Sequence, residues 1–315
     1  MALPANNHPN FIAKHDDIGI VAAGFSGGQR RLGVSAAPSA MIEAGLLEEV
    51  HNDLGYNIHH DHTVHSYTDL YPTSDPDHRG MKKPRAVSAA MEKLSQQVCV
   101  LTLGGDHSVA IGTLSGTARA IRKRHGREMA VIYVDAHGDI NTPETSGSGN
   151  IHGMPVAFVS GLAKGDSKDI FGWIKDEHLI NVDKLVYIGL RDVGASEKKT
   201  FQENEIKVFS MHDVNRLGIG RVMELALAYI GNTPIHLSYD IDALDPEWAP
   251  STGFPVPGGL SLCEGVFIAE CIRDTGNLIA MDLVEVNPQL EVRGAERTIQ
   301  SGFALIRSAL GNRSI

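Results

Sequence analysis

The stretch AVIYVDAHGDIN, residues 130–141, decides how this chain folds. A continuous apolar run ends in Asp135, His137 and Asp139, set two residues apart with only Ala136 and Gly138 between them. An apolar run without alternation is the pattern of a strand covered on both faces. On an extended segment residues i, i+2 and i+4 face the same way, so the spacing predicts two carboxylates and an imidazole converging on one side. Asp240 and Asp242, in and after IHLSYDI (235–241), repeat the two-residue spacing. Carboxylates a few ångströms apart repel, and burying them without a cation is costly.

Further apolar runs lie at 18–25, 98–103, 185–190, 206–210 and 278–286, with helix patterns at 108–124, 211–230, 261–275 and 292–309. Strands alternating with helices predict an α/β chain, a three-layer α/β/α sandwich around a mainly parallel sheet. No linker or internal repeat divides the sequence. The punctuated segment from Tyr71 to Arg85 reads as a loop within one domain spanning residues 1–315.

Ligands of an open parallel sheet gather beyond the carboxyl ends of its strands. His107 follows the run at 98–103, Arg191 and Asp192 follow 185–190, and Glu285 stands near the end of 278–286. His107, Asp135, His137, Asp139, Asp240 and Asp242 supply four carboxylates and two imidazoles. That set exceeds the needs of one ion and suits two bridged ions, typically ~3.5–4 Å apart. Oxygen-rich, thiolate-free ligation favours manganese, with zinc, cobalt or iron as alternatives. Any one DxH or DxD pair alone is more often a cap or a solvated acid; their joint placement after apolar runs argues otherwise.

Net charge is −10, which disfavours nucleic acid and anionic membranes as partners. Cys99, Cys263 and Cys271 form no CxxC pair and read as reduced, mostly buried thiols of a cytoplasmic protein. No secretory signal is apparent, and no apolar run reaches the ~20 residues that span a bilayer. The histidine-rich HHDHTVH, residues 59–65, follows no clear strand and reads as a solvated surface segment. FSGGQ, residues 25–29, lacks the Gly-Lys-Ser/Thr ending of a phosphate loop and reads as a tight turn.

In the blocks FSGGQ, GGDHSVAIGT, VDAHGDIN, SGNIHG, YIGLRDV, SYDIDALDP, STGFPVPGGL and VEVNP, the chain resembles the arginase (ureohydrolase) family over nearly its whole length, fungal arginases best. The resemblance implies a doubly wound eight-stranded sheet, a homotrimer and two manganese ions. One ion would take His107, Asp135, Asp139 and Asp240; the other His137, Asp135, Asp240 and Asp242. A hydroxide bridging them would attack a guanidinium carbon, releasing an amine and urea. Asp139 would also transfer a proton, His152 would shuttle protons, and Glu285 would grip the guanidinium through a bidentate pair. Asn141, Ser148 and Asn150, with Ser146 as a further contributor, match the loop that holds a substrate carboxylate. Asp192 would support the site from outside it, and Asp106 reads as structural.

Two positions depart from the family. Gly194 stands where arginases carry a second acid facing the α-amino group, and Phe254 replaces a threonine in the later loop. Glu197 could partly compensate for Gly194 through water. Losing a charge-assisted hydrogen bond of roughly 1.5–3 kcal/mol shifts preference tenfold or more. The departures lean toward retained chemistry on an altered guanidino substrate, either an amino-blocked arginine or a guanidino acid such as 4-guanidinobutanoate. The alternatives are an ordinary arginase with weakened α-amino recognition, a non-catalytic metal-binding homologue, and a single-metal deacetylase of the related α/β class.

Overall fold

A computed structural model describes residues 17–97 and 100–311. Eight strands form one sheet in the order β2-β1-β3-β8-β7-β4-β5-β6. They are β1 (Asp17–Ala23), β2 (Asn57–His59), β3 (Leu101–Gly104), β4 (Ala130–Val134), β5 (Leu185–Leu190), β6 (Lys207–Ser210), β7 (Ile235–Asp240) and β8 (Leu278–Val284). Every pairing is parallel.

Side chains alternate between two cores, one on each face of the sheet. Ala130, Ile132 and Val134 pack with the helices Ala37–Glu43, Leu46–Asn52, Met211–Leu217, Ile219–Ile230, Leu262–Asp274 and Val292–Leu310. Val131 and Tyr133 face the opposite core, with the helices Pro84–Leu94, Val109–His125, Pro155–Val159 and Ala195–Glu203. This is the expected three-layer sandwich. Continuous apolar strands follow directly from having a helical layer on each side.

The sequence expectations need four adjustments. One helix across 211–230 is in fact two, broken at Gly218, whose φ of 77° ends the first helix. The three-residue edge strand β2 is short and partly exposed, so it carries no apolar signature; it runs directly into the histidine segment, which therefore does follow a strand. Cys263 is exposed and Cys271 half-buried, against the expected burial; Cys99 lies outside the described residues.

The fourth adjustment concerns the opening stretch. β4 stops at Val134, and Asp135 to Asp139 do not continue it. A strand rises about 3.3 Å per residue, so four residues of extended chain would separate Asp135 from Asp139 by roughly 13 Å. The chain instead folds back, with Asp139 in the left-handed region at φ 49°. Asp240 and Asp242 likewise converge through a single 3-10 turn, Ile241–Ala243, rather than along a strand.

Candidate metal centre and active site

The four central strands β3, β8, β7 and β4 are neighbours, and the polar groups following each meet at one carboxyl edge. His107 Nδ1 lies 3.0 Å from Asp135 Oδ2 and 3.1 Å from both Asp139 Oδ2 and Asp240 Oδ2. His137 Nδ1 lies 3.1 Å from Asp242 Oδ2 and 3.5 Å from Asp135 Oδ1. Two groups able to hold a metal ion result, His107–Asp135–Asp139 and Asp135–His137–Asp242, with Asp135 common to both.

Although His107 Nδ1 and Asp135 Oδ2 are buried and close, neither completes a hydrogen bond. Lone pairs aimed at a shared point fit a cation better than they fit each other. The electrostatics agree. Burial, then the charges of Asp242 and Asp135, push the Asp240 carboxyl well above the usual range. Burial lowers the histidines, but the surrounding carboxylates outweigh it, carrying His107 well above its ordinary value and His137 up to about 12. The cluster draws positive charge, which divalent ions supply.

Outer groups hold the inner ones. His107 Nε2 meets Ser238 Oγ at 3.0 Å, which leaves Nδ1 to face the acids. Tyr133 stacks on the His107 ring at 4.6 Å and donates to Asp139 Oδ2 at 3.1 Å. Arg191 donates to the carbonyls of Asp242 (2.7 Å), Ala243 (3.1 Å), Leu244 (3.2 Å) and Val256 (2.7 Å), tying the Asp242 turn to the loop before the helix Leu262–Asp274. The sequence marked Arg191 only as a strand-end charge, and Ser238 not at all. Asp106 accepts from the Gly28 and Ser108 amides.

Glu285 leaves β8 at φ 63°. Its Oε1 accepts from the His107 amide at 2.9 Å and its Oε2 from Gln29 Nε2 at 2.7 Å. Its own amide donates to Gly105 O at 2.8 Å, and its carbonyl accepts from Thr252 Oγ1 at 2.8 Å. Left-handed backbone at two non-glycine acids, Asp139 and Glu285, is strain held by the surrounding structure. His152 Nδ1 stands 3.4 Å from Glu285 Oε1. Burial lowers its pKa, but Glu285, Asp139 and Asp106 together raise it.

Asn141 Oδ1 accepts from Thr145 and Ser196, both at 3.1 Å, while the Ser146 and Ser148 hydroxyls accept from the Gly149 and Asn150 amides. Asn150 Oδ1 is buried without a partner. Asp192 is exposed and stands 3.8 Å from His137 Nε2. The Glu197 carboxylate is buried and accepts from the amides of Gly194 (3.0 Å) and Ile140 (3.5 Å), capping the helix Ala195–Glu203. Phe254 lies against the rings of His152 and His137, with centroids at 5.3 and 6.3 Å, and the Arg31 guanidinium covers it at 4.6 Å. The loop FSGGQ is more than a turn, because Gln29 reaches Glu285 and Gly28 O accepts from the His152 amide at 3.1 Å.

Fold and site together define a metal-dependent hydrolase built on a parallel α/β/α sandwich. Residues 16–311 match the profile described as "Arginase family". An arginase of Emericella nidulans is 62% identical over 321 residues, covering 99% of each chain. Arginase-1 of Homo sapiens is 42% identical, covering 95% of this chain and 94% of the relative. A crystal structure of arginase from Bacillus subtilis superposes with a TM-score of 0.84 at 36% identity, covering 95% of this chain and all of that one. The chain belongs to the arginase family and is a ureohydrolase, cleaving C–N bonds of linear amidines. Among the described residues no helix is long and apolar enough to cross a membrane.

Proposed function

We propose that the chain is an ordinary arginase, hydrolysing L-arginine to L-ornithine and urea. The observation that carries this is 62% identity to a named arginase over nearly the full length of both chains. The lean toward an altered guanidino substrate, drawn from Gly194 and Phe254, gives way to it. Neither departure replaces a metal ligand, and the groups that would act on a guanidinium are all present.

In this reading two manganese ions would be held by His107, Asp135, Asp139 and Asp240 and by His137, Asp135, Asp240 and Asp242. When bound, they would make water acidic enough to act as a nucleophile near neutral pH. Glu285 grips the guanidinium and orients its carbon toward the cluster. Asp139 passes a proton to the departing amine nitrogen, which cannot leave as an anion. His152, beside Glu285 and partly exposed, exchanges protons with solvent. Asn141, Ser148 and Asn150 receive the α-carboxylate, and Asp192 stands on the outer side of His137. A homotrimeric assembly and a cytoplasmic location belong to the same proposal.

The test is urea release with manganese from L-arginine, agmatine, 4-guanidinobutanoate and Nα-acetyl-arginine. L-Arginine should show the highest kcat/KM. Tenfold preference for an amino-blocked or amino-free compound would overturn the reading, and release from none of them would remove the enzyme altogether.

A further inference from the structure

Gln29, in the first glycine-rich loop, reaches the site with its side chain. It is only 5% exposed. Its amide is oriented by its own chemistry: Nε2 must face the Glu285 carboxylate, to which it donates at 2.7 Å. Oε1 therefore points elsewhere, and it is buried with no hydrogen-bond partner. A buried amide oxygen left unpaired is costly, and such an atom calls for an explanation.

Gly253 shows where that oxygen faces. A Cβ placed on Gly253 would lie 3.3 Å from Gln29 Oε1 and 3.4 Å from Glu285 Oε2. The two oxygens thus border one spot, kept open because residue 253 has no side chain. A guanidinium is planar and carries its N–H donors in a fixed fork. Each Glu285 oxygen already accepts one bond, from the His107 amide at 2.9 Å or from Gln29 at 2.7 Å. A third acceptor beside them matches the surplus of donors. It does so as a neutral amide, where a second carboxylate would repel Glu285.

We infer that Gln29 is a substrate-binding residue, its Oε1 accepting an N–H of the substrate guanidinium while its Nε2 holds Glu285 in place. The inference rests on the proposed arginase reading, from which the following experiment separates it. Wild type, Gln29→Met and Gln29→Leu are compared with manganese, each assayed for KM with L-arginine and for inhibition by L-ornithine, which carries no guanidinium. Both substitutions remove donor and acceptor at nearly the volume of glutamine.

Gln29→Met should raise KM by roughly tenfold to a hundredfold, the value of one hydrogen bond to a charged group. Its kcat should fall less, and its manganese content should match wild type. The inhibition constant of L-ornithine should stay within about twofold of wild type in the same variant. Two results overturn the inference: a KM for L-arginine within about twofold of wild type, or an equal rise for L-ornithine, which would place the loss away from the guanidinium. If Gln29→Met does not fold, Gln29→Leu is read by the same two measurements. Absence of urea release by wild type counts against the arginase reading, not against Gln29.

Discussion

The guanidinium of Arg31 lies over the ring of Phe254, 4.6 Å from its centroid, and so fixes an apolar wall beside the two histidines of the site. Phe254 is 36% exposed, and without that cap its ring would be free to swing. A cation–π contact at such a position contributes about 0.5–1 kcal/mol. A double-mutant cycle on Arg31→Met and Phe254→Leu should return a coupling energy of that size in urea unfolding of the manganese-loaded protein. Phe254→Ala should also lower kcat for L-arginine severalfold by freeing His152, with metal content unchanged. Zero coupling would show that the two side chains are merely adjacent.

Asp135 belongs to both His/Asp groups, whereas His137 belongs to one. Asp135→Asn should therefore deplete both metals, and His137→Asn chiefly one. Elemental analysis after gel filtration should read near zero for the first and near one equivalent for the second. Equal losses would contradict the shared-ligand arrangement.

Arg191 spans carbonyls of the Asp242 turn and of Val256 with a planar fork that a lysine cannot reproduce. Arg191→Lys should cost on the order of 3 kcal/mol, since several charge-assisted bonds are lost and the carbonyls remain partly buried. Denaturant unfolding measures it. The variant should also bind manganese more weakly, because Asp242 is no longer held.

Chelation should destabilise the fold. Ligand present at a hundred times its Kd stabilises by about 2.7 kcal/mol per site, and the cluster gathers four carboxylates that repel once the ions leave. Thermal unfolding with and without a chelator should differ by several degrees, with manganese restoring the higher midpoint. Identical midpoints would mean that the acids are accommodated without cations.

The layers and most strands were legible because buried parallel strands write continuous apolar runs; 130–134 and 185–190 match β4 and β5 residue for residue. The metal-competent residues were legible as acids and imidazoles following such runs. Their geometry was not. Alternation predicted an extended Asp135–Asp139, whereas the site needs a fold-back with Asp139 left-handed, because an extended segment overshoots. Ser238 and Gln29 were invisible for another reason. Their partners His107 and Glu285 lie 131 and 256 positions away, and nothing local in a serine after an apolar run, or in a glutamine after glycines, reports such a partner.

The sheet order also carries a consequence for assembly of the chain. β3 and β4 follow one another in sequence but are held apart by β8 and β7, the last two strands to be made. Until those strands insert, the first half of the chain has two open strand edges facing each other and only part of the acid cluster. Biosynthesis therefore reaches its cooperative step late. Folding should be slow, dominated by contacts distant in sequence, and a nascent chain paused before residue 235 would be the form most exposed to mispairing and aggregation.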